Sequence, residues 1–160
     1  MNEPVRKKNR LLCYDYSSSG GYFITLCVEK HKKILSSIDA EFNRVGERIA
    51  LPRLTEIGKI VENAIEKINE KYPAVFVDKY VIMPNHIHMI LRIDGGSAMR
   101  SPTIPTVINQ LKGYVTKQIG FSIWQKSFYD HIIRSEKDFL AVYQYIETNP
   151  LKWENDEYYT

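Results

Sequence analysis

A chain of 160 residues that is 44% hydrophobic and 26% charged carries enough apolar material for one core and falls in the size range of one domain. Its charge, 22 Lys and Arg against 19 Asp and Glu for a net +3, lies too near balance to mark a partner, so an anionic ligand is allowed but not indicated. No stretch approaches the roughly 20 apolar residues of a membrane span, and the basic start from Met1 to Arg10 runs into no apolar segment of signal length, so a cytoplasmic protein away from the membrane is expected. Cys13 and Cys27 stand in no metal-ligand or redox spacing and read as reduced thiols.

Along the chain, the loop-like Ser17 to Gly21 leads into Tyr22 to Val28, whose β-branched and aromatic residues predict a first strand. From Leu54 the apolar Ile57, Val61, Ala64, Ile65 and Ile68 recur at helical spacing, bounded by Pro52 and by Tyr72-Pro73, and predict an amphipathic helix. Ala74 to Met83 is a β-rich run, Pro84-Asn85 is turn chemistry, and His86 to Ile93 alternates as the second arm of an antiparallel hairpin. In that arm Ile87, Met89, Leu91 and Ile93 share the apolar face, so His86 and His88 project together from the other.

Asp94 to Pro105 reads as a long loop. Ile104, Val107, Ile108, Leu111, Val115 and Ile119 then predict a second amphipathic helix ending near Gly120, with Lys112 and Lys117 on its other faces. Ser127 to Arg134 reads as a strand, and Ser135 with the acidic turn after it starts a last helix running to about Asn149. The order strand, helix, strand, strand, helix, strand, helix predicts an α+β fold, an antiparallel sheet with helices packed on one face. It is similar to the ferredoxin-like sandwich. No internal repeat and no low-complexity tract interrupts it.

His86-Ile87-His88 offers two nitrogen ligands on one strand face, able to chelate one ion if a third ligand arrives from elsewhere; two polar residues on a solvent-facing strand is the alternative. On the last helix the apolar stripe is Phe139, Val142, Tyr143 and Ile146. Two residues along a helix is about 200° of rotation, so Tyr145 points away from Tyr143, and Asn149 lies one turn beyond Tyr145 on its flank. A phenol and an amide beside a metal would make a nucleophile-plus-metal site. A surface tyrosine, and an asparagine ending a helix before Pro150, fit the same residues.

The string from Tyr80 to Ile90, with Met83-Pro84-Asn85-His86-Ile87-His88 at its centre, resembles the metal-binding segment of the HUH class of tyrosine transposases. Tyr14 to Ser17, Gly21 to Thr25, Trp124 to Arg134 and Tyr145-Ile146-Glu147-Thr148-Asn149-Pro150 narrow the resemblance to the REP-associated tyrosine transposases. The matches run in order from about Tyr14 to Pro150, which implies one transposase domain over residues 1–160 with a core of about 14–150. The resemblance implies an endonuclease that cleaves and rejoins single-stranded DNA at hairpin sites through a 5′-phosphotyrosine. It makes Tyr145 the nucleophile, His86, His88 and Asn149 the metal ligands, and Mg²⁺ or Mn²⁺ the ion, although imidazoles would also accept Zn²⁺ or Ni²⁺. Many relatives carry glutamine where Asn149 stands, one methylene longer, and Asn85 and Glu147 are polar neighbours that could substitute.

For the DNA, Arg100, Lys112, Lys117, Lys126 and Arg134 are candidate phosphate contacts, and Tyr114, Trp124 and Tyr129 candidate stacking platforms, although the last two also suit core or sheet positions. His31 and His131 read as structural or surface residues. The resemblance leaves monomer and homodimer both open. Three other readings fit the same residues: a protein that holds nucleic-acid hairpins without cutting them, a hydrolase activating water at His86 and His88, and an α+β domain with no nucleic-acid role.

Overall fold

A computed structural model describes residues 15–16, 18–95 and 102–159. Among these residues the strands are β1 (Gly20–Cys27), β2 (Ser36–Phe42), β3 (Arg48–Leu54), β4 (Val75–Ile82), β5 (His86–Ile93) and β6 (Tyr129–Ile133). The helices are α1 (Glu56–Glu66), α2 (Ile68–Lys71), α3 (Ile104–Ile119) and α4 (Glu136–Thr148), and 3-10 turns cover Glu29–His31 and Pro150–Asn155. The main sheet has the order β4-β5-β1-β6 with every neighbouring pair antiparallel, the order of a ferredoxin-like sandwich.

Alternation decides the layers. Tyr22, Ile24 and Leu26 of β1 and Ile87, Met89, Leu91 and Ile93 of β5 form the core face, where α1 contributes Val61, Ala64 and Ile65 and α3 contributes Val107, Ile108, Leu111 and Val115. Helices packed on one face of an antiparallel sheet are therefore present as α1 and α3. The last helix, α4, lies across the opposite face, where Tyr145 meets Phe23 and His88 edge-on.

Local signals explain the helix ends. Thr55 caps α1 by accepting from Gly58 N, Thr103 caps α3 by accepting from Thr106 N, and Ser135 caps α4 by accepting from Asp138 N, each satisfying an amide that has no partner inside its helix. Gly120 closes α3 with φ +88°, a left-handed geometry that favours glycine. Pro105, expected in the loop, stands in the first turn of α3, where a missing N–H costs nothing. The expected helix from Leu54 to Tyr72 begins only at Glu56 and is broken at Lys67 into α1 and α2. No helix among the described residues is long and apolar enough to cross a membrane.

Two features lie outside the sequence expectations. The hairpin β2–β3 forms a two-stranded sheet of its own, with Gly46 at φ +81° in its turn. After Asn149 the chain stays folded: Trp153 is buried where the Pro150–Asn155 turn packs on β3, beneath the Lys33 ammonium at 5.7 Å. The core therefore reaches beyond the expected limit near residue 150. Cys27 is a free thiol whose pKa burial pushes up to about 11; Cys13 is outside the described residues.

One close approach holds this arrangement together. The Leu35 carbonyl accepts from Thr55 N at 3.0 Å while Leu35 N donates to Pro84 O at 3.0 Å, so the start of α1 is tied through one residue to the β4–β5 turn. Gly58 packs on that carbonyl, and a Cβ there would overlap the oxygen. Gly58→Ala is expected to lower unfolding stability by about 1–3 kcal/mol despite alanine's better helix propensity, measured by the urea midpoint.

Candidate active site

The β1–β5 register sets Thr25 opposite His88 and Cys27 opposite His86. The two imidazoles stand on one face with ring centroids 4.5 Å apart. That face is covered by α4 and the C-terminal segment, so both histidines are fully buried, at 0% and 1% exposure, and the solvent-facing alternative is excluded. Each δ-nitrogen has an oxygen partner: His86 Nδ1 lies 2.8 Å from Asn85 Oδ1 and His88 Nδ1 lies 2.8 Å from Thr25 Oγ1.

Both ε-nitrogens are buried with no hydrogen-bond partner among the described residues, and so is Asn149 Oδ1. Asn149 is the C-cap of α4, and its Nδ2 donates to Asp156 Oδ2 at 2.8 Å. Asp156 Oδ2 stands 3.9 Å from His86 Nε2, and the ligand atoms of His86, His88 and Asp156 all lie within 4.8 Å of one another. A buried polar atom without a partner costs about 1–3 kcal/mol. Three of them in one small volume describe a pocket shaped for something that accepts lone pairs.

Tyr145 lies at the edge of this pocket, its ring 5.2 Å from that of His88 and 5.9 Å from that of Phe23. It is 39% exposed and opens onto a groove of about 550 Å³ lined by Phe23, Thr25, His88, Tyr129 and Tyr158. Burial pushes its phenol up to about 12, the Asp156 and Glu157 carboxylates push the same way, and the Asn149 amide pulls it down. Burial lowers His86 to about 4 against the opposing pull of Asp156, and lowers His88 well below its usual value with help from His86. Both imidazoles are therefore neutral at pH 7, the form that ligates a metal.

Tyr145, His86, His88 and Asn149 thus come together as the sequence reading expected. Asp156 was missed; it follows Pro150 in a tail with no periodicity and several acids, where nothing local singles it out. Asn85 spends its side-chain oxygen on His86, and Glu147 faces outward to Lys79 at 3.5 Å. Lys112 and Lys117 sit on α3, across the sheet from the histidines, and the Lys112 ammonium donates to the Gln125 and Ser127 carbonyls at 2.8 and 3.0 Å. Lys126 and Arg134 are exposed, while Arg100 is outside the described residues. Trp124 is in the core and Tyr114 faces α1, whereas Tyr129 is exposed beside Phe23, their ring centroids 6.3 Å apart. His131 pairs with Asp138 at 2.9 Å, and His31 lies against Tyr158, ring centroids 6.1 Å apart.

These shifts set an acid limit on the fold. With His86 lowered from 6.5 to about 4, the unfolded chain binds protons that the native one refuses as pH falls below 6.5. The stability that the neutral imidazole contributes is present above that pH and is lost on the way down to about 4. In EDTA, the urea midpoint is expected to fall across this window, each histidine contributing up to about 1.4 kcal/mol per pH unit; a flat midpoint would contradict the assignment.

No protein-family model matches the chain. A Haemophilus influenzae protein of no assigned function is 32% identical over 96% of this chain and 93% of its own length. A second protein of that organism, provisionally named a REP-associated tyrosine transposase, is 26% identical over 86% of the chain and 74% of its own length. An Escherichia coli REP-associated tyrosine transposase is 29% identical over 62% of the chain and 58% of its own length. The fold is that of a solved REP-associated tyrosine transposase bound to a REP hairpin, with a TM-score of 0.64 at 22% identity over 96% of this chain and 74% of the other. The chain is thus similar in sequence to REP-associated tyrosine transposases and shares the fold of one.

Proposed function

We propose that this chain is an enzyme that cuts and rejoins single-stranded DNA at hairpin-bearing sites, with Tyr145 as the nucleophile. Its named homologues are transposases. The observation that carries the reading is the half-exposed phenol of Tyr145 beside a buried cluster of His86, His88, Asn149 and Asp156 in which three polar atoms have no hydrogen-bond partner among the described residues. Those groups fit a divalent cation: two neutral nitrogens, an amide oxygen and a carboxylate leave room for phosphate or water oxygens. Mg²⁺ or Mn²⁺ held there would offset negative charge on a non-bridging phosphate oxygen and favour the phenolate form of Tyr145.

The chain's own residues set the rest of the reaction. The Phe23 and His88 rings hold Tyr145 from two sides, so its Oη reaches the groove in a fixed direction. In-line attack forms the Oη–P bond as the P–O3′ bond breaks. The phenol loses its proton, the departing 3′ oxygen gains one, and the products are a 5′-phosphotyrosine and a 3′-hydroxyl. Reversal with another 3′-hydroxyl rejoins the strand, with the phosphoester energy kept in the covalent intermediate. Tyr129, exposed next to Phe23, presents a ring on which an unpaired base can stack. The solved relative carrying a REP hairpin supports hairpin DNA as the substrate class.

The test is incubation with labelled hairpin-bearing single strands and Mn²⁺, followed by a denaturing gel. A protein-linked band is expected from the wild type, lost with EDTA and reduced roughly 10⁴-fold or more in Tyr145→Phe, with hairpin binding retained. Free cleavage products persisting in that variant would indicate attack by water, and binding without any cutting would indicate a hairpin-binding protein. Without a cation, burial pushes the phenol up to about 12, so the phenolate is on the order of one molecule in 10⁵ at pH 7 and remains the minor form where a cation favours it. Adduct formation is therefore expected to rise from pH 7 to pH 9, which initial rates at constant Mn²⁺ will measure.

A further inference from the structure

Asn85 is fully buried in the turn between β4 and β5, and both ends of its amide are engaged. Nδ2 donates to the Tyr158 carbonyl at 2.8 Å and to the His31 carbonyl at 3.3 Å. Carbonyls only accept, so the amide cannot be reversed without facing two oxygens with a third. The oxygen end is thereby fixed as the atom 2.8 Å from His86 Nδ1. A neutral imidazole facing an amide oxygen must carry its proton on that nitrogen. His86 Nε2 then keeps its lone pair, and Nε2 is the atom turned toward Asp156 at 3.9 Å. Thr25 exerts no such compulsion on His88, because a hydroxyl at 2.8 Å suits either tautomer.

From this chain of hydrogen bonds we infer that Asn85 is a positioning residue with two linked roles. It holds His86 as the Nδ1–H tautomer with the Nε2 lone pair aimed into the cation pocket, and it clasps the C-terminal segment that carries Asp156. The backbone shares the task, since Asn85 O accepts from Val28 N at 2.9 Å and so pins the turn to the end of β1. His31, one of the two carbonyls that orient the amide, has φ +50° and follows Lys30 at φ +55°. Two successive left-handed residues outside glycine are uncommon; here they place a carbonyl where Asn85 needs an acceptor. The inference rests on the cation reading proposed above.

Its first test involves neither metal nor activity. Long-range ¹⁵N–¹H correlation spectra of the full chain in EDTA at neutral pH are expected to show His86 protonated at Nδ1, and a proton on Nε2 would overturn the inference. The second test is Mn²⁺ titration by calorimetry without DNA. Asn85→Ala is expected to weaken binding roughly 10- to 100-fold. Asn85→Asp, which keeps an acceptor for Nδ1–H, is expected to recover much of that loss even though it sets a carboxylate against two carbonyls. A packing role alone predicts the reverse order, with Asp worse than Ala, and that order would overturn the inference. Unchanged affinity in Asn85→Ala beside a binding wild type would overturn it alone, whereas a wild type that binds no Mn²⁺ would overturn the cation reading and this inference together. Should either variant fail to fold by circular dichroism, the wild-type tautomer decides.

Discussion

The exclusion of water from both faces of β5 is the constraint on which the rest of this structure depends. Ile87, Met89, Leu91 and Ile93 bury one face against α1 and α3, and His86, His88 and Ile90 bury the other. A strand covered on one side only could leave its histidines in water, where they would titrate near pH 6.5 and point wherever solvent allowed. Covering them removes that freedom. Each imidazole must then find a protein oxygen for one nitrogen, and whatever the second nitrogen faces becomes part of the fold's energetics. Asn85 and Thr25 answer the first requirement from the adjoining turn and strand. The second is left to Asn149 and Asp156, both brought in by chain that follows the last helix.

That dependence explains why β2–β3 matters to a site it never touches. The C-terminal segment enters the site by way of the 3-10 turn Pro150–Asn155. Its anchor is Trp153, buried where the turn packs on β3, with Lys33 above the ring. The anchored turn presents Asp156 to His86, and the Asn85 clasp on Tyr158 fixes the chain just beyond. The hairpin is therefore a platform for the tail, and the tail is one wall of the pocket.

Much of this was legible from period and punctuation. His86 to Ile93 has the observed limits of β5 because strict alternation between a turn and a loop leaves little choice, and α3 ends where Gly120 predicts and α4 begins where Ser135 predicts. Strand and helix periods put His86 and His88 on one face and Tyr145 and Asn149 on another, and the family resemblance joined them into one candidate site. What escaped was set by contacts distant in sequence. In β2–β3 the charged Asp39, Glu41 and Arg53 share an exposed face with the apolar Ile49 and Leu51, which blurs alternation, and Pro52 argues further against a strand. Asp156 becomes distinctive only through the burial of Trp153, and the family resemblance stops at Pro150. A helical face can be read as polar, but which side of the sheet it lies on cannot, and α3 carries Lys112 and Lys117 on the side away from the histidines.

The donor and acceptor inventory of the pocket decides what kind of ligand it suits. Asn149 Nδ2 is already spent on Asp156, and Nδ1–H of His86 on Asn85. What converges on the centre is the His86 and His88 ε-nitrogens, Asn149 Oδ1 and Asp156 Oδ2, with no cationic side chain among them. An anion would meet lone pairs and a carboxylate, and a single water could donate to two of the four while leaving the others unpaired. The proposed divalent cation would engage all four, with both imidazoles held neutral by burial. The same arithmetic applies to Tyr145, whose ionisation is opposed by burial and by Asp156 and Glu157. The chain alone therefore holds the proposed nucleophile in its protonated form, and on the cation reading proposed above a positive charge in the pocket would reverse both penalties.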